Sequence, residues 1–226
     1  MKKNDGPGKM PGKQGILCCV SLLCCLSNAV AGDRLPVSDF SGSGLTGWST
    51  KVFSGTTSYR EVRLDGKKVI RAESHAGAAG LVKKIHVDLE KYPYLNWSWR
   101  IDNRLDLKNE KRKSGDDFAA RIYVVVDGGL WLWRTRAVNY VWASGMPGDE
   151  AWANPFAGRR SMMIAVRNGQ DKISTWYAEK RNVYADLKRL FGDGYRFIDA
   201  VAIMTDTDNS HGQAVSYYGD IYFSAE

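Results

Sequence analysis

The chain has 226 residues, of which 44% are hydrophobic, 25% charged and 12% aromatic, and its formal net charge is +7. This composition excludes disordered, collagen-like and coiled-coil proteins, and it predicts one sizeable hydrophobic core.

The first 31 residues have the three features of a secretory signal peptide. Four lysines precede an apolar run at 16–26, and a small-residue cleavage site follows at 29–31. We therefore expect cleavage after Ala31 and a periplasmic or extracellular location. The apolar run is too short to span a bilayer, so no membrane span is predicted. All four cysteines lie inside the run, so the mature chain is expected to have no disulfide.

Removing this leader lowers the formal charge to +4, because it carries four Lys and Asp5. A charge of +4 permits an anionic partner, but we find no nucleic-acid-binding motif and predict no nucleic-acid partner.

Residues 32–226 are predicted to form one domain in which the hydrophobic pattern is mostly period two. Leu95, Trp97, Trp99 and Ile101 alternate with polar residues, which is typical of a strand with one buried face. Further strands are predicted at 58–64, 68–74, 80–88, 119–127, 137–143, 161–167, 173–178, 200–205 and 214–223.

Only one helix is predicted, at 183–191, with Asn182 as its N-cap and Gly192 just beyond its end. Many short strands with turn signals between them and a single helix indicate an all-β protein, an antiparallel jelly-roll β-sandwich.

The order of several motifs resembles known families. Asp39-Phe40 near the start and the aromatic and acidic segment 217–223 near the end resemble galactose-binding-like jelly rolls found in carbohydrate-binding modules. Segments 94–100, 115–124, 139–143, 179–183 and 204–209 are similar to an exported bacterial family, domain of unknown function 3047. That family has no assigned activity. Arg100, at the end of the first segment, is a candidate ligand-binding residue.

The jelly-roll resemblance also implies a calcium site. Asp39 and Asp220 resemble the acidic residues at the ends of calcium-stapled carbohydrate-binding jelly rolls, so these two residues are candidate ligands for a structural Ca²⁺.

Arg121 and Tyr123 are the first candidate site residues found by strand parity. Ile122, Val124 and Val126 form the apolar side of the predicted strand, so Arg121 and Tyr123 project together from the other side. A guanidinium and an aromatic ring suit a sugar, acidic sugars included. The alternative is an arginine lying over a half-exposed sheet. We expect Arg121→Ala to weaken ligand binding and to destabilise the fold less than Ile122→Ala.

Asn139, Tyr140 and Trp142 repeat this pattern on another predicted strand. Asn139 lies on the opposite face from the two aromatic residues, so only one of these sets can face a binding groove. Glu179 and Arg181, just before the helix, are either groove-rim residues or a structural ion pair near a helix cap.

Asp206, Asp208 and Asn209 place three oxygen-bearing side chains in a loop after a predicted strand. They are candidate ligand-binding residues and could bind Ca²⁺, but they do not match the EF-hand pattern. An Asx-turn is the structural alternative.

The sequence favours carbohydrate binding. The predicted partner is a cell-envelope or extracellular polysaccharide, and one version of this hypothesis makes that polysaccharide acidic. Two alternatives stay open: a polysaccharide lyase or glycoside hydrolase that uses the same groove, and a non-catalytic envelope protein whose aromatic residues serve packing. Zinc-ligand spacing, a nucleophile elbow, a P-loop and a dinucleotide fingerprint are absent from the sequence.

Overall fold

The structure is a computed structural model that describes Gly8 and residues 33–107, 109–130 and 134–226. The predicted signal peptide at 1–31 lies outside the described residues, apart from Gly8. Residues 31–226 form one compact unit. None of the described residues belongs to a helix long and apolar enough to cross a membrane.

Fourteen strands and one α-helix make up the described fold. The strands are β1 (Arg34–Pro36), β2 (Ser49–Ser54), β3 (Thr57–Leu64), β4 (Lys67–His75), β5 (Ala78–Asp88), β6 (Tyr94–Ile101), β7 (Arg121–Val126), β8 (Arg136–Trp142), β9 (Ala151–Asn154), β10 (Gly158–Arg167), β11 (Tyr177–Asn182), β12 (Phe197–Asp206), β13 (Gln213–Tyr218) and β14 (Tyr222–Ser224). The helix is α1 (Val183–Phe191), and a 3-10 helix covers Lys113–Gly115.

The strands form two seven-stranded sheets, which confirms the predicted β-sandwich. The first sheet has the order β1-β14-β6-β13-β4-β3, with β11 paired to the other edge of β6. The second sheet has the order β2-β5-β12-β7-β8-β10-β9. Every pairing is antiparallel except that of β8 with β10, which run parallel. The strand between them in the chain, β9, runs in the opposite direction and pairs with the other edge of β10.

The core lies between the inner faces of the two sheets and is rich in aromatic rings. Trp97 of β6 stacks on Tyr140 of β8 with ring centroids 5.4 Å apart, and Trp99 approaches Trp142 at 5.8 Å. Strand parity produces this arrangement, because every second residue of β6 and β8 points inward. The predicted burial of the tryptophan pair in β6 is confirmed.

The helix α1 has the predicted limits. The Asn182 side chain accepts a hydrogen bond from the Ala185 backbone N–H at 2.9 Å, and Gly192 with φ +88° follows the last turn. Val183 and Leu187 bury the apolar face of the helix against the core.

Several strand limits differ from the prediction. The segment predicted at 214–223 is two strands, β13 and β14, because the chain leaves the ladder at Gly219 and Asp220. The strand predicted at 173–178 begins only at Tyr177, since Ser174 with φ +53° breaks the extended backbone. The short strands β1, β2 and β9 were not predicted. All six residues of β2 are exposed, so β2 lacks the alternation that marks a half-buried strand.

Candidate functional site

A pocket of about 430 Å³ opens on the outer face of the second sheet, and we call it the polar pocket. Its floor is formed by neighbouring strands β7 and β12. Its walls come from the loop before β7, the loop after β12, and parts of β2, β5, β9, β10 and the turn between β9 and β10. The floor residues are Arg121, Tyr123, Met204 and Asp206; the main polar wall residues are Asp116, Asn154, Asp208 and Asn209.

Strand register explains why the floor residues point the same way. Arg121 lies opposite Met204 and Tyr123 opposite Ala202, while Ile122 and Val124 face the core. The Tyr123 hydroxyl reaches the Met204 sulfur at 3.5 Å. Arg121 and Tyr123 thus line one surface, as strand parity predicted, and that surface is concave.

Arg121 is held in the floor by an ion pair with Asp206. One guanidinium nitrogen, Nη2, donates to Asp206 Oδ2, and the two residues are only 4% and 1% exposed. Asp206 Oδ1 accepts the Phe118 backbone N–H at 3.3 Å, and the Phe118 ring centroid lies 5.1 Å from the guanidinium carbon. The alternative of an arginine lying over a half-exposed sheet is therefore wrong, because the Arg121 charge is buried and already matched by a carboxylate. Ligand binding by Arg121 stays a prediction.

Two buried polar atoms of residues that line this pocket have no hydrogen-bond partner among the described residues: Asp116 Oδ1 and Arg121 Nε. Asn139 Oδ1 also has none, but Asn139 does not itself line the pocket. Asp116 uses its other oxygen to accept from Asn154 Nδ2 at 2.8 Å. Asn139 donates to Ser161 Oγ, a pocket-lining hydroxyl, at 2.7 Å. An unpaired buried polar atom costs about 1–3 kcal/mol, so these atoms favour a ligand or water that completes their hydrogen bonds.

Burial also changes the acidity of the pocket. The pKa of Asp116 is raised above the ordinary 3.8 because desolvation penalises the carboxylate, while Arg121 and the Asn154 hydrogen bond oppose the rise. The pKa of Asp208 is raised by desolvation and by the charge of Asp117. A carboxyl group that keeps its proton can both donate to and accept from a hydroxyl group.

Three acids lie close together beside the pocket. One carboxylate oxygen from each of Asp117, Asp206 and Asp208 falls within 4.8 Å of the others. Asp117 accepts backbone N–H groups of Asn209 at 3.2 Å and Ser210 at 2.6 Å, so its carboxylate fastens the turn after β12. The loop is therefore held by an acid from another segment of the chain, which is a structural role but not an Asx-turn. Calcium binding by the Asp206 to Asn209 loop stays a prediction.

Two phenylalanine rings stand at the rim of the polar pocket. Phe53 on β2 is 60% exposed, and Phe156 in the turn between β9 and β10 is 56% exposed. Neither ring was among the candidates predicted from the sequence, and neither were Asp116 and Asn154. The available signal for Phe53 was an aromatic ring next to Val52 in a stretch, 49–54, that is polar at its other positions.

The predicted residues Tyr140 and Trp142 do not reach this surface. Both are buried in the core, where the Tyr140 hydroxyl donates to Asp186 Oδ2 at 2.9 Å and Trp142 Nε1 donates to the Asn168 carbonyl at 3.3 Å. The prediction that Tyr140 and Trp142 bind a ligand is therefore wrong. Strand parity gives the reason: Asn139 is the β8 residue that shares the outer face with Tyr123, so Tyr140 points to the core.

The other charged candidates lie outside the polar pocket and in ion pairs. Glu179 accepts from Arg167 Nε at 2.6 Å and from Trp99 Nε1 at 3.0 Å. Arg181 pairs with Asp186 at 3.0 Å and with Asp149 at 2.5 Å.

Arg100 pairs with Asp102 at 2.9 Å and with Asp65 at 3.3 Å. Its charge is therefore matched on both sides, and it takes no part in the polar pocket.

The two candidate calcium ligands at the ends of the domain do meet. The Ser41 hydroxyl lies 3.0 Å from Asp39 Oδ1 and 2.7 Å from Asp220 Oδ2. Asp39 also accepts the Gly42 backbone N–H at 2.9 Å. These contacts show the two acids joined through a serine, and a metal ion at this place stays a prediction.

Comparison with known proteins identifies a family and several structures of similar fold. The sequence profile described as "Protein of unknown function (DUF3047)" matches residues 46–222. A search of curated proteins finds no match.

Among solved structures, the family 11 carbohydrate-binding module from Clostridium thermocellum in complex with a β-1,3-1,4-mixed-linked tetrasaccharide is 10% identical over 84% of this chain and 95% of the module, with a TM-score of 0.46. The family 30 module of the cellulosomal cellulase Cel9D-Cel44B from the same organism is 10% identical over 85% of this chain and 98% of its own, with a TM-score of 0.47. A third structure is the xyloglucanase domain of NopAA, a type three effector from Sinorhizobium fredii, in complex with cellobiose. It is 9% identical over 79% of this chain and 93% of its own, with a TM-score of 0.45. At these values the similarity says nothing about the ligand of this chain.

Proposed function

We propose that this chain, which belongs to the DUF3047 family of proteins of unknown function, is an exported protein that binds a neutral carbohydrate in its polar pocket. The observation that carries the proposal is that two residues of one pocket, Asp116 and Arg121, each have a buried polar atom without a partner among the described residues, while the rim of that pocket bears two exposed phenylalanine rings. A sugar ring presents both kinds of surface that such a site needs: hydroxyl groups at its edge and C–H groups on its faces.

The chemistry of the pocket floor supports hydroxyl recognition. Asp116 Oδ1 is an acceptor and Arg121 Nε is a donor, so a pair of vicinal hydroxyl groups could complete both. The buried ion pair of Arg121 with Asp206 fixes the donor in place, and a fixed donor loses little conformational entropy when a ligand binds.

The charges around the pocket argue against an acidic sugar. Asp116, Asp206 and Asp208 line the pocket, whereas Arg121 is the only Lys or Arg that lines it among the described residues. Because Arg121 is already paired with Asp206, a uronate carboxylate placed here would face uncompensated negative charge. A neutral glycan of the cell envelope or the extracellular medium is therefore our preferred partner.

A glycoside hydrolase is the second candidate, and the raised pKa values of Asp116 and Asp208 favour it. A carboxyl group that keeps its proton near another carboxylate is the general-acid arrangement of such enzymes. Release of reducing ends from a bound glycan identifies this activity; binding without release identifies a binding protein.

A glycan array followed by calorimetry tests the proposal. We expect neutral glycans to be retained in preference to uronic-acid glycans. Phe156→Ala should weaken binding about two- to tenfold, as expected for a ring contact of about 0.5–1.5 kcal/mol. Phe197→Ala, which removes a 39% exposed ring that does not line the pocket, is the matched control. Equal affinities for the two variants, or no glycan retained, would refute the proposal.

Export is tested separately by the intact mass of the protein recovered outside the cytoplasm. We expect the mass of a chain that begins after Ala31. A mass that includes the four cysteines at 18, 19, 24 and 25 would contradict the proposed cleavage.

A further inference from the structure

A second concave surface lies on the outer face of the first sheet, and we call it the cationic cleft. Its volume is about 800 Å³, which falls within the range of sites that hold small ligands or oligomer fragments. Asn96 and Ser98 form its floor, since they alternate with the buried inward residues of β6. Lys180 of β11 lines one side, and the turn between β3 and β4 lines the other.

The cleft contains four cationic side chains and two acids. The cations are Arg63, Lys67, Lys68 and Lys180, and the acids are Glu179 and Asp220. Both acids are already engaged: Glu179 pairs with Arg167, and Asp220 accepts the Ser41 hydroxyl at 2.7 Å.

Three of the four cations have no ion-pair partner among the described residues. Lys68 is bound to Glu61 at 2.8 Å, but Arg63, Lys67 and Lys180 have no carboxylate within salt-bridge distance. All three are exposed, and the Lys180 ammonium lies 4.5 Å from the centroid of the Tyr94 ring. The cleft therefore combines unmatched positive charge with a concave shape.

Aromatic and polar groups complete the cleft. Tyr222 lines the cleft, and the Arg34 guanidinium covers one face of its ring at 4.5 Å from the centroid. Trp176 also lines the cleft, and its Nε1 donates a hydrogen bond to Asp65 at 3.1 Å. These groups leave ring surface for the C–H faces of a sugar, while Asn96 and Ser98 offer hydrogen bonds to hydroxyl groups.

We propose that the cationic cleft is a second binding site, separate from the polar pocket, that binds a segment of an acidic polysaccharide through its carboxylate groups. Charge complementarity is the reason for choosing an acidic ligand. Lys67 of β4, Lys180 of β11 and Arg63 line the same cleft, and they bind carboxylates spaced along one polysaccharide chain.

A glycan fits the cleft better than nucleic acid does. The surface is a bounded cleft, whereas proteins that bind single-stranded nucleic acid use a basic groove that follows the phosphate backbone, with aromatic rings on which successive bases stack. The inference uses no residue of the polar pocket, so it stands or falls independently of the neutral-sugar proposal.

The test compares two charge-matched double variants of the purified protein. Lys67→Gln/Lys180→Gln removes two cations from the cleft, and Lys84→Gln/Lys91→Gln removes two exposed lysines that do not line it. The probes are polygalacturonate and its fully methyl-esterified, uncharged form. Binding is measured by affinity electrophoresis or calorimetry at low salt and at about 0.5 M salt, where a screening length of a few ångströms weakens exposed ion pairs.

We expect the protein to bind polygalacturonate and not the neutral ester, and we expect salt to abolish the binding. The cleft variant should bind about tenfold more weakly, as expected for the loss of two exposed ion pairs, while the control variant keeps its affinity. Circular dichroism checks that both variants are folded.

Three results would overturn the inference. Equal weakening in both double variants would mean that only net charge matters. Equal binding of the ester would remove the carboxylate from recognition. Tighter binding of single- or double-stranded DNA than of polygalacturonate, lost in the cleft variant, would assign the cleft to nucleic acid instead. If Phe156→Ala leaves the affinity for neutral glycans unchanged, that result contradicts only the proposed function of the polar pocket and not the inference about the cationic cleft.

Discussion

The arginine in the floor of the polar pocket has two roles that are hard to separate. Its Nη2 is bound to buried Asp206, and its Nε has no partner among the described residues. The ion pair stabilises the folded protein, whereas under our proposal Nε donates a hydrogen bond to the ligand. Substitutions at Arg121 therefore change stability first and ligand binding second.

We predict that Arg121→Ala destabilises the protein by about 3–5 kcal/mol, because it leaves the Asp206 charge buried without a partner. That loss is comparable to the roughly 2–5 kcal/mol expected for Ile122→Ala, so Arg121→Ala should no longer be much the milder change, as the sequence had predicted. Urea unfolding of both variants measures the difference. Arg121→Met/Asp206→Asn should recover part of the loss, and a double variant less stable than Arg121→Ala would contradict this explanation.

Asp116 gives the stability a pH dependence of known sign. Its pKa is raised by burial, so the folded state keeps the proton at a higher pH than the unfolded chain does. Its contribution to the free energy of unfolding is therefore fully present below the ordinary pKa of 3.8 and is lost as the pH rises through the raised value.

We predict that the stability of the protein relative to Asp116→Asn falls as the pH is raised from acidic towards neutral. Urea unfolding at a series of pH values measures this difference. Asp106→Asn, at an exposed acid outside the polar pocket, is the control. A difference that grows with pH would mean that the environment of Asp116 stabilises the charged form instead.

At the scale of single elements, the junction of β11 and α1 is the clearest case of a local sequence signal. Asn182 ends the strand in register with Tyr94 and caps the helix by accepting the Ala185 N–H. One residue thus closes a strand and opens a helix, and the helix places Asp186 against the buried Tyr140 hydroxyl.

We predict that Asn182→Ala destabilises the protein by about 1 kcal/mol, the usual cost of removing an N-cap. Gln170→Ala, in an exposed turn, is the control and should change the stability by less than about 0.5 kcal/mol. Chemical denaturation measures both. An unchanged stability in Asn182→Ala would mean that the packing of Val183 and Leu187 fixes the start of the helix without the cap.

The elements also show what the sequence could and could not predict. Local periodicity located the helix, the long strands and the shared face of Arg121 and Tyr123, because each depends on near neighbours in the chain. Burial of Arg121 by Asp206 depends on contact between two strands 85 positions apart. Phe53 and Asn154 come from short strands without a clear period, so only the assembled sheet brings them to the pocket.

At the scale of the whole molecule, the sandwich carries concave surfaces of different charge on the outer faces of its two sheets. Carboxylates outnumber cations in the polar pocket, whereas cations outnumber acids in the cationic cleft. The single formal charge of +4 for residues 32–226 therefore does not show that acids and cations are divided between the two faces.

Stability of the whole domain should not depend on the redox state of the medium. Every cysteine lies at positions 18–25, so the described domain contains no thiol. We predict that dithiothreitol leaves the melting temperature of the exported protein unchanged. A drop in the melting temperature would show that residues of the leader persist in the protein and form a disulfide.

The pairing of β1 with β14 has a consequence for the order of assembly. Arg34 lies opposite Ser224, so the first strand of the domain is held by the last, and β14 in turn pairs with β6. A ribosome makes β1 about 190 residues before it makes β14, the strand that β1 pairs with. This edge of the sheet therefore cannot close until the chain has been synthesised through Ser224, and a growing chain that ends before that residue stays incompletely folded.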